Sequence, residues 1–357
     1  RGAGKTKGSY VRVGDADLPM TDYEIYSFES YKAHVHDDER PIDRADLSLL
    51  DEVGINNYIL QMKLNRPYFS KLSEEQIYEL LSITRNGVPT LASVLNFGIY
   101  PQGLLPQLAI TATVIPGTEI GETTNDGVRF LDNKRIEGTL SEMLDEAIAF
   151  CNRNMRTQTI IDQNTGKRND KTEYPINAIR EAILNALIHR DYSVHTEGTT
   201  IQISFFTNRL EIHSPGSLYG RMTVDDLGKA RPDLRNPALA TMSEFLLKTE
   251  NRYSGIPTIR REMKEYGLPE PLFENKRNEF VVTLFNKTEN SINNSEDNTD
   301  LITFCKTPRT RQEISDYLGL KTTQYVSKNY IQPLVNQGKL KLLDPDKPKS
   351  KNQKYYS

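Results

Sequence analysis

The run Pro175-Ile-Asn-Ala-Ile-Arg-Glu-Ala-Ile-Leu-Asn-Ala-Leu-Ile-His-Arg190 holds the most informative pattern of apolar and polar positions in the chain. Turned at about 3.6 residues per turn, it sets Ile176, Ile179, Ile183 and Leu187 on one side. Glu181, Asn185 and His189 fall on the other, with Ala178 and Ala182 beside them. The apolar stripe is suited to packing on a sheet. The polar stripe lines a shallow space, and its small neighbours leave room for a ligand. Pro175 reads as the first helical residue, where a missing N–H costs nothing.

Other periods mark further elements. Tyr10-Val-Arg-Val alternates as a strand, and Thr21 with Glu24 forms a capping box ahead of a helix. Asp43 to Leu64 has a helical apolar period, and Ser73-Glu-Glu-Gln76 opens another helix to about Ile83. Thr90 to Phe97 fits helix or strand, Leu108 to Ile115 a strand, and Leu140 to Asn154 a helix. Thr199 to Phe206 and Arg209 to His213 read as a hairpin turning at Thr207-Asn208. Ser217 to Asn251 reads as loop-rich, broken by Asn236-Pro237. A helix from Ser254 to about Tyr266 and a strand from Phe280 to Phe285 follow. This order predicts an α+β fold built on a two-layer α/β sandwich.

Composition narrows the class. Charged residues make up 26% and hydrophobic ones 37%, which suits globular protein with polar linkers, and no apolar run reaches membrane length. No signal peptide is visible. Cys151 and Cys305 have no metal spacing and fit a reducing compartment, so a cytoplasmic location is expected. Gly4-Lys5-Thr6 imitates the end of a phosphate-binding loop, but no strand or earlier glycine precedes it. The abrupt start reads as a piece of a longer chain.

Glu181-Ala-Ile-Leu-Asn185 resembles the N-box of the GHKL nucleotide-binding fold, the module of histidine kinases and gyrase B. The resemblance implies that Asn185 helps hold magnesium on ATP phosphates and that Glu181 polarises a water, as a catalytic residue. Gly216 and Gly255 would flank the nucleotide. Ser214 stands where the family has an adenine-reading Asp, so Ser214, Gly216, Gly255 and Asn185 are the candidate nucleotide-binding residues. With Tyr10-Val-Arg-Val-Gly14, Asn96-Phe-Gly98, Tyr100-Pro-Gln102, Asn185 to Tyr192 and Arg235-Asn-Pro237, the chain resembles a bacterial and archaeal family of transcriptional regulators. Its members join an Alba-like, Schlafen-related DNA-binding domain to a divergent GHKL-type ATP-binding domain. His189-Arg-Asp191 has a plainer reading, a histidine favoured by a helix C-terminus.

Charge separates the tail from the rest. Residues 301–357 hold 11 Lys and Arg against 4 Asp and Glu, a net of +7, while the whole chain is −3. An anionic partner for the tail is expected. Arg309 to Leu320 and Lys321 to Gly338 read as helices, and Leu340 to Leu343 and Gln353 to Tyr356 as strands around a basic loop. This order resembles a winged helix-turn-helix. Thr322, Thr323 and Gln324 would meet base edges of double-stranded DNA, and Lys321, Lys328, Lys347, Lys349 and Lys351 its phosphates.

The expected organisation is an Alba-like remnant over 1–30, a connecting α/β region over 31–160, a GHKL-type module over 161–286, a linker over 287–300 and a winged helix over 301–357. Three functions stay open. The first is a DNA-binding transcriptional regulator tuned by ATP and magnesium. The second is an ATPase using Glu181 and Asn185. The third is a scaffold whose nucleotide module binds nothing. Two-fold symmetric DNA makes a homodimer a candidate assembly.

Overall fold

The computed structural model describes residues 8–13, 16–161, 168–231, 233–247, 254–286, 301–318, 320, 323–336, 338–345, 347, 350 and 353–357. The chain divides into two units, Arg1–Asn286 and Lys287–Ser357.

The first unit opens with an antiparallel ribbon of β1 (Tyr10–Val13) and β2 (Ala16–Pro19). α1 (Asp22–Ala33) follows, opened by the reciprocal Thr21–Glu24 capping box. α2 (Glu52–Asn65) begins only after Asp51, whose carboxylate accepts from Val53 N. The helical period predicted from Asp43 therefore overreaches, because Asp46 caps a separate 3-10 turn at Leu47–Leu49. α3 (Glu74–Leu80) starts at the Ser73–Gln76 box. β3 (Thr84–Arg85) and β4 (Val88–Pro89) form a short hairpin. α4 (Leu91–Phe97) resolves the ambiguous run as a helix, since the Thr90 hydroxyl accepts from Ser93 N. α5 (Pro101–Leu104) is a single turn.

β5 (Ile110–Val114), β6 (Asp132–Ile136), α6 (Leu140–Asn154), β7 (Thr157–Ile161), β8 (Arg168–Thr172), α7 (Ile176–His189), β9 (Ile201–Phe205) and β10 (Arg209–Pro215) come next. α8 (Pro237–Leu246), α9 (Gly255–Glu265), β11 (Leu272–Asn275) and β12 (Glu279–Phe285) complete the unit. Six strands make one mixed sheet in the order β11-β12-β10-β9-β5-β6. Only β5 and β9 run parallel, with Ile110 beside Ile201. The β9–β10 hairpin pairs Phe205 with Leu210, and Phe206 N donates to Arg209 O at 2.8 Å across the turn.

α7 lies between α6 and α9 and packs on β10, which forms the helical layer of an α+β fold. Pro175 is the cap of α7, one position before the expected one. Ile179, Ile183 and Leu187 are buried, while Ile176 is only partly buried against the core. On β10, Leu210, Ile212 and Ser214 are buried, and Arg209, Glu211 and His213 are half-buried on the opposite face. One apolar core joins these elements to α2, α4 and α8.

α8 corrects the reading of 217–251 as loop. Asn236-Pro237 opens a helix there, because Pro237 occupies its first position. The buried Asp38 side chain accepts from Leu239 N at 3.0 Å at the same end. Burial raises the Asp38 carboxyl to about 7.

In the second unit a helical stretch at 301–304 precedes β13 (Arg309–Thr310), α10 (Arg311–Tyr317), α11 (Thr323–Val326), a π-helical turn at Ser327–Ile331 and α12 (Gln332–Asn336). β14 (Lys341–Leu342) and β15 (Lys354–Tyr356) close a three-stranded antiparallel sheet in the order β13-β15-β14. Arg309 is thus a strand residue. The predicted helix start moves to Arg311, because Thr310 caps α10 through a box with Glu313. Leu301, Ile314, Val326, Leu334 and Tyr355 share a separate small core.

Candidate functional site

A cavity of about 390 Å³ opens where α7, the end of β10, the segment 216–235 and the start of α9 meet. That size suits a small molecule. Glu181, Asn185 and His189 stand a turn apart on α7 and all line it. Ser214 and Gly216 join from β10 and its end, and Gly255 from the first turn of α9. Residues from three elements and a span of 75 positions are brought together by the α7–α9 contact and the hairpin.

At the approach of α9 to α7 the glycine leaves room for the Asn185 and Glu181 side chains. A Cβ on Gly255 would stand 2.9 Å from Asn185 Nδ2 and 3.2 Å from Glu181 Oε2. Asn185 Nδ2 is buried without a hydrogen-bond partner among the described residues. Such a donor costs free energy until something accepts from it. The cap of α9, Ser254, makes no side-chain bond to the helix, whose first turn leaves N–H groups without intrahelical partners. This end of α9 can meet an anion. Burial raises the Glu181 carboxyl above its ordinary range, against the nearby Arg180 charge. Arg180 Nη1 lies 3.6 Å from Glu181 Oε1, and its Nη2 donates to Leu247 O at 3.0 Å.

Ser214 differs from the expected base-reading position. It is buried, and its hydroxyl donates to Ala186 O of α7 at 3.3 Å. That bond ties strand to helix. Gly216 has φ +101°, and a Cβ there would lie 2.5 Å from Asp191 Cβ and 2.6 Å from Arg235 Nη1. The glycine is required by both conformation and space.

Below Gly216 lies a polar turn that spacing does not reveal. Asp191 Oδ2 faces Arg235 Nη1 at 3.3 Å, and both side chains are almost wholly buried. Asp191 Oδ1 accepts from Ser193 N at 2.7 Å and Thr196 Oγ1 at 3.3 Å. Burial alone would raise the Asp191 carboxyl; the Arg235 charge and the Ser193 and Thr196 bonds outweigh it and hold the pKa below the ordinary range. Arg190 Nη2 donates to Thr196 O and Thr199 O. Asn236 Nδ2 donates to Ile188 O and Arg190 O, both at 2.8 Å, and serves the end of α7. His189 reaches the cavity and is exposed through it, yet protein surrounds the ring. Desolvation, and then the Arg235 charge, keep it below its ordinary pKa and neutral at pH 7.

α1 borders the same region. Ser217 N donates to Tyr23 Oη at 3.1 Å, and Tyr31 Oη donates to Asp233 Oδ2 at 2.9 Å. Arg277 holds Glu24 at the start of α1. These pairs join residues about 190 to 250 positions apart, a range that no local sequence pattern spans.

On the far face of β10, His213 stands between Glu211 and Glu279, each at 3.0 Å. Burial opposes its charge, but the two carboxylates raise its pKa to about 9. It does not line the cavity. Among the described residues no group of three or more His, Cys, Asp or Glu could hold a metal ion. No described helix is long and apolar enough to cross a membrane.

In the second unit Thr323 is half-buried at the start of α11, and Lys347 is exposed between β14 and β15. Gln324 and Lys328 lie on the α11 and π-helical backbone, and their side chains are outside the described ones. Lys321, Thr322, Lys349 and Lys351 lie outside the described residues, as do Gly4, Lys5 and Thr6.

Two family models match parts of the chain. Residues 198–284 match the family described as Putative ATP-dependent DNA helicase recG C-terminal. Residues 299–356 match Filamentation induced by cAMP protein Fic-like, C-terminal domain. No curated protein matches the chain. Among solved structures it is similar to the DIP2311 protein from Corynebacterium diphtheriae, at 18% identity and a TM-score of 0.53. That likeness covers 91% of this chain and 65% of the other, and it concerns the fold alone. The first family match begins after α7, so Glu181 and Asn185 lie before it, while Ser214, Gly216 and Gly255 lie within it.

Proposed function

We propose that the first unit binds an ATP-like nucleotide with magnesium, and that the second unit is a winged helix that contacts double-stranded DNA, together making a nucleotide-tuned DNA-binding regulator. The observation that carries this reading is the cavity where Asn185, with an unpartnered buried amide nitrogen, faces Gly255 at the opening of α9. A phosphate chain suits that place: the N-terminal turn of α9 favours negative charge, and Arg180 supplies a cation beside it. Magnesium prefers oxygen ligands and keeps several waters, so the Asn185 carboxamide oxygen would be this chain's contribution to holding it beside the phosphates. The ATP-related family match over 198–284 supports the same reading. Bound, the nucleotide and its metal would bring a polarised phosphate chain against Glu181.

Glu181 favours a second step. A half-buried carboxyl with a raised pKa suits a general base toward water. For the second unit, three helical segments before a β14–β15 hairpin, together with the +7 charge of residues 301–357, support a DNA-facing winged helix. The Alba-like remnant over 1–30 stays part of the proposal.

The test uses the full chain. Magnesium and ATP together should raise the melting temperature, more than either alone, and DNA affinity should fall steeply with added salt. Steady phosphate release that Glu181→Gln abolishes would add the enzyme. No melting shift at millimolar ATP would overturn nucleotide binding, and a flat salt response would overturn the DNA interface.

A further inference from the structure

We infer that two copies of this chain associate through the outer face of α2, packed antiparallel about a two-fold axis. α2 is apolar on both sides. Ile55, Tyr58, Ile59 and Met62 are buried in the core of the first unit. Val53, Leu60 and Leu64 lie on the opposite side, at 69%, 53% and 68% exposure. At about 3.6 residues per turn these three positions form one stripe, completed by Asn57. Single exposed apolar residues are ordinary, but three in register on one helix make a patch. A helix that is apolar all round is normally covered all round, so the outer stripe calls for a partner.

The charges beside the stripe specify that partner. Glu52 and Lys63 stand on the same flank at opposite ends, about three turns apart. Both are exposed, and neither is in an ion pair among the described residues. When a helix meets its own copy antiparallel, like flanks meet and the ends exchange. Val53 then faces Leu64 of the partner subunit, and Asn57 faces the partner's Leu60. Glu52 faces the partner's Lys63, and the two-fold axis makes that pair twice. A parallel pairing would leave the two charges about 16 Å apart along the helix. This order of acid, apolar stripe and base complements itself, and that singles out a second copy. Ile99, which shares a shallow hollow with Glu52, and Tyr68, past the end of the helix, extend the patch at 70% and 80% exposure. An interface built on one such helix is at the small end for specific association, so the expected self-affinity is micromolar.

The test is sedimentation velocity of the full chain, without nucleotide or DNA, from about 1 to 200 µM, a range that brackets a micromolar dissociation constant. The wild type should pass from one chain to two across that range. Leu60→Asp, at an exposed position, should weaken the association at least tenfold and leave the melting temperature of the monomer unchanged. Glu52→Lys alone and Lys63→Glu alone should each weaken it by about threefold or more, because like charges then meet twice. An equimolar mixture of those two variants should regain wild-type association, since each chain supplies the charge its partner lacks. A wild type that stays monomeric at 200 µM, a Leu60→Asp protein that associates like wild type, or a mixture that associates no better than its components overturns the inference.

Discussion

The middle and the end of α7 carry polar side chains of similar kind in different surroundings. At the middle, Asn185 Nδ2 has no partner among the described residues and Glu181 is half-buried against an open cavity. At the end, Asn236 spends its amide on two carbonyls, Asp191 has both oxygens engaged, and Arg190 donates to three carbonyls within the turn. The second arrangement holds the chain in place. The first keeps a cost that a ligand can relieve. The contrast is one of degree and of access, because Ser193 Oγ, Arg235 Nη1 and Asn236 Oδ1 at the end of α7 are also buried without a hydrogen-bond partner among the described residues, while Asn185 lines the cavity.

That contrast is open to attack, first through stability. Asp191→Ala leaves Arg235 buried without its counter-charge and should cost about 3–5 kcal/mol in chemical unfolding. Asn185→Ala removes no described amide-nitrogen bond and should stay within about 0.5 kcal/mol of wild type. Equal losses at both positions would erase the distinction.

Acid unfolding sharpens it with opposite signs. The Asp191 pKa is lowered from 3.8 in the folded state, so its stabilisation is present above about pH 4 and is lost as pH falls through the lowered value. Asp191→Asn should flatten that acid limb. The Glu181 pKa is raised from 4.5, so the folded state binds its proton more tightly, and stability from this group falls as pH rises from 4.5 through the raised value. Glu181→Gln should therefore stabilise the unliganded protein at pH 7 by about 0.5 kcal/mol, readable as a small rise in melting temperature.

Local chemistry made much of this legible. The bounds of α6 and α7, the capping boxes at Thr21 and Ser73, and the β9–β10 hairpin follow from periodicity and side-chain caps within a few residues. The positions of Glu181 and Asn185 on one helix face follow from the same arithmetic. Long-range pairing was not legible. β5 lies beside β9 in parallel, and β11 extends the sheet beyond β12, through contacts that no local pattern encodes. Asn236-Pro237 signals a break by composition, yet the same proline opens α8 once Asp38, about 200 residues earlier, meets that helix end. Arg235 and Tyr31 acquire meaning through partners far away in sequence, Asp191 adds the distant Arg235 to its local bonds from Ser193 and Thr196, and a lone buried charge has no periodic signature.

The proposed nucleotide site stands or falls with the unpartnered amide of Asn185 opposite Gly255. Calorimetric titration of magnesium and ATP into the wild type, Asn185→Ala and Gly255→Ala tests it most directly. The wild type should bind saturably, and binding should weaken at least tenfold in Asn185→Ala and in Gly255→Ala, whose new methyl would displace the amide. Equal affinity in all three proteins, or no heat from the wild type, would contradict it.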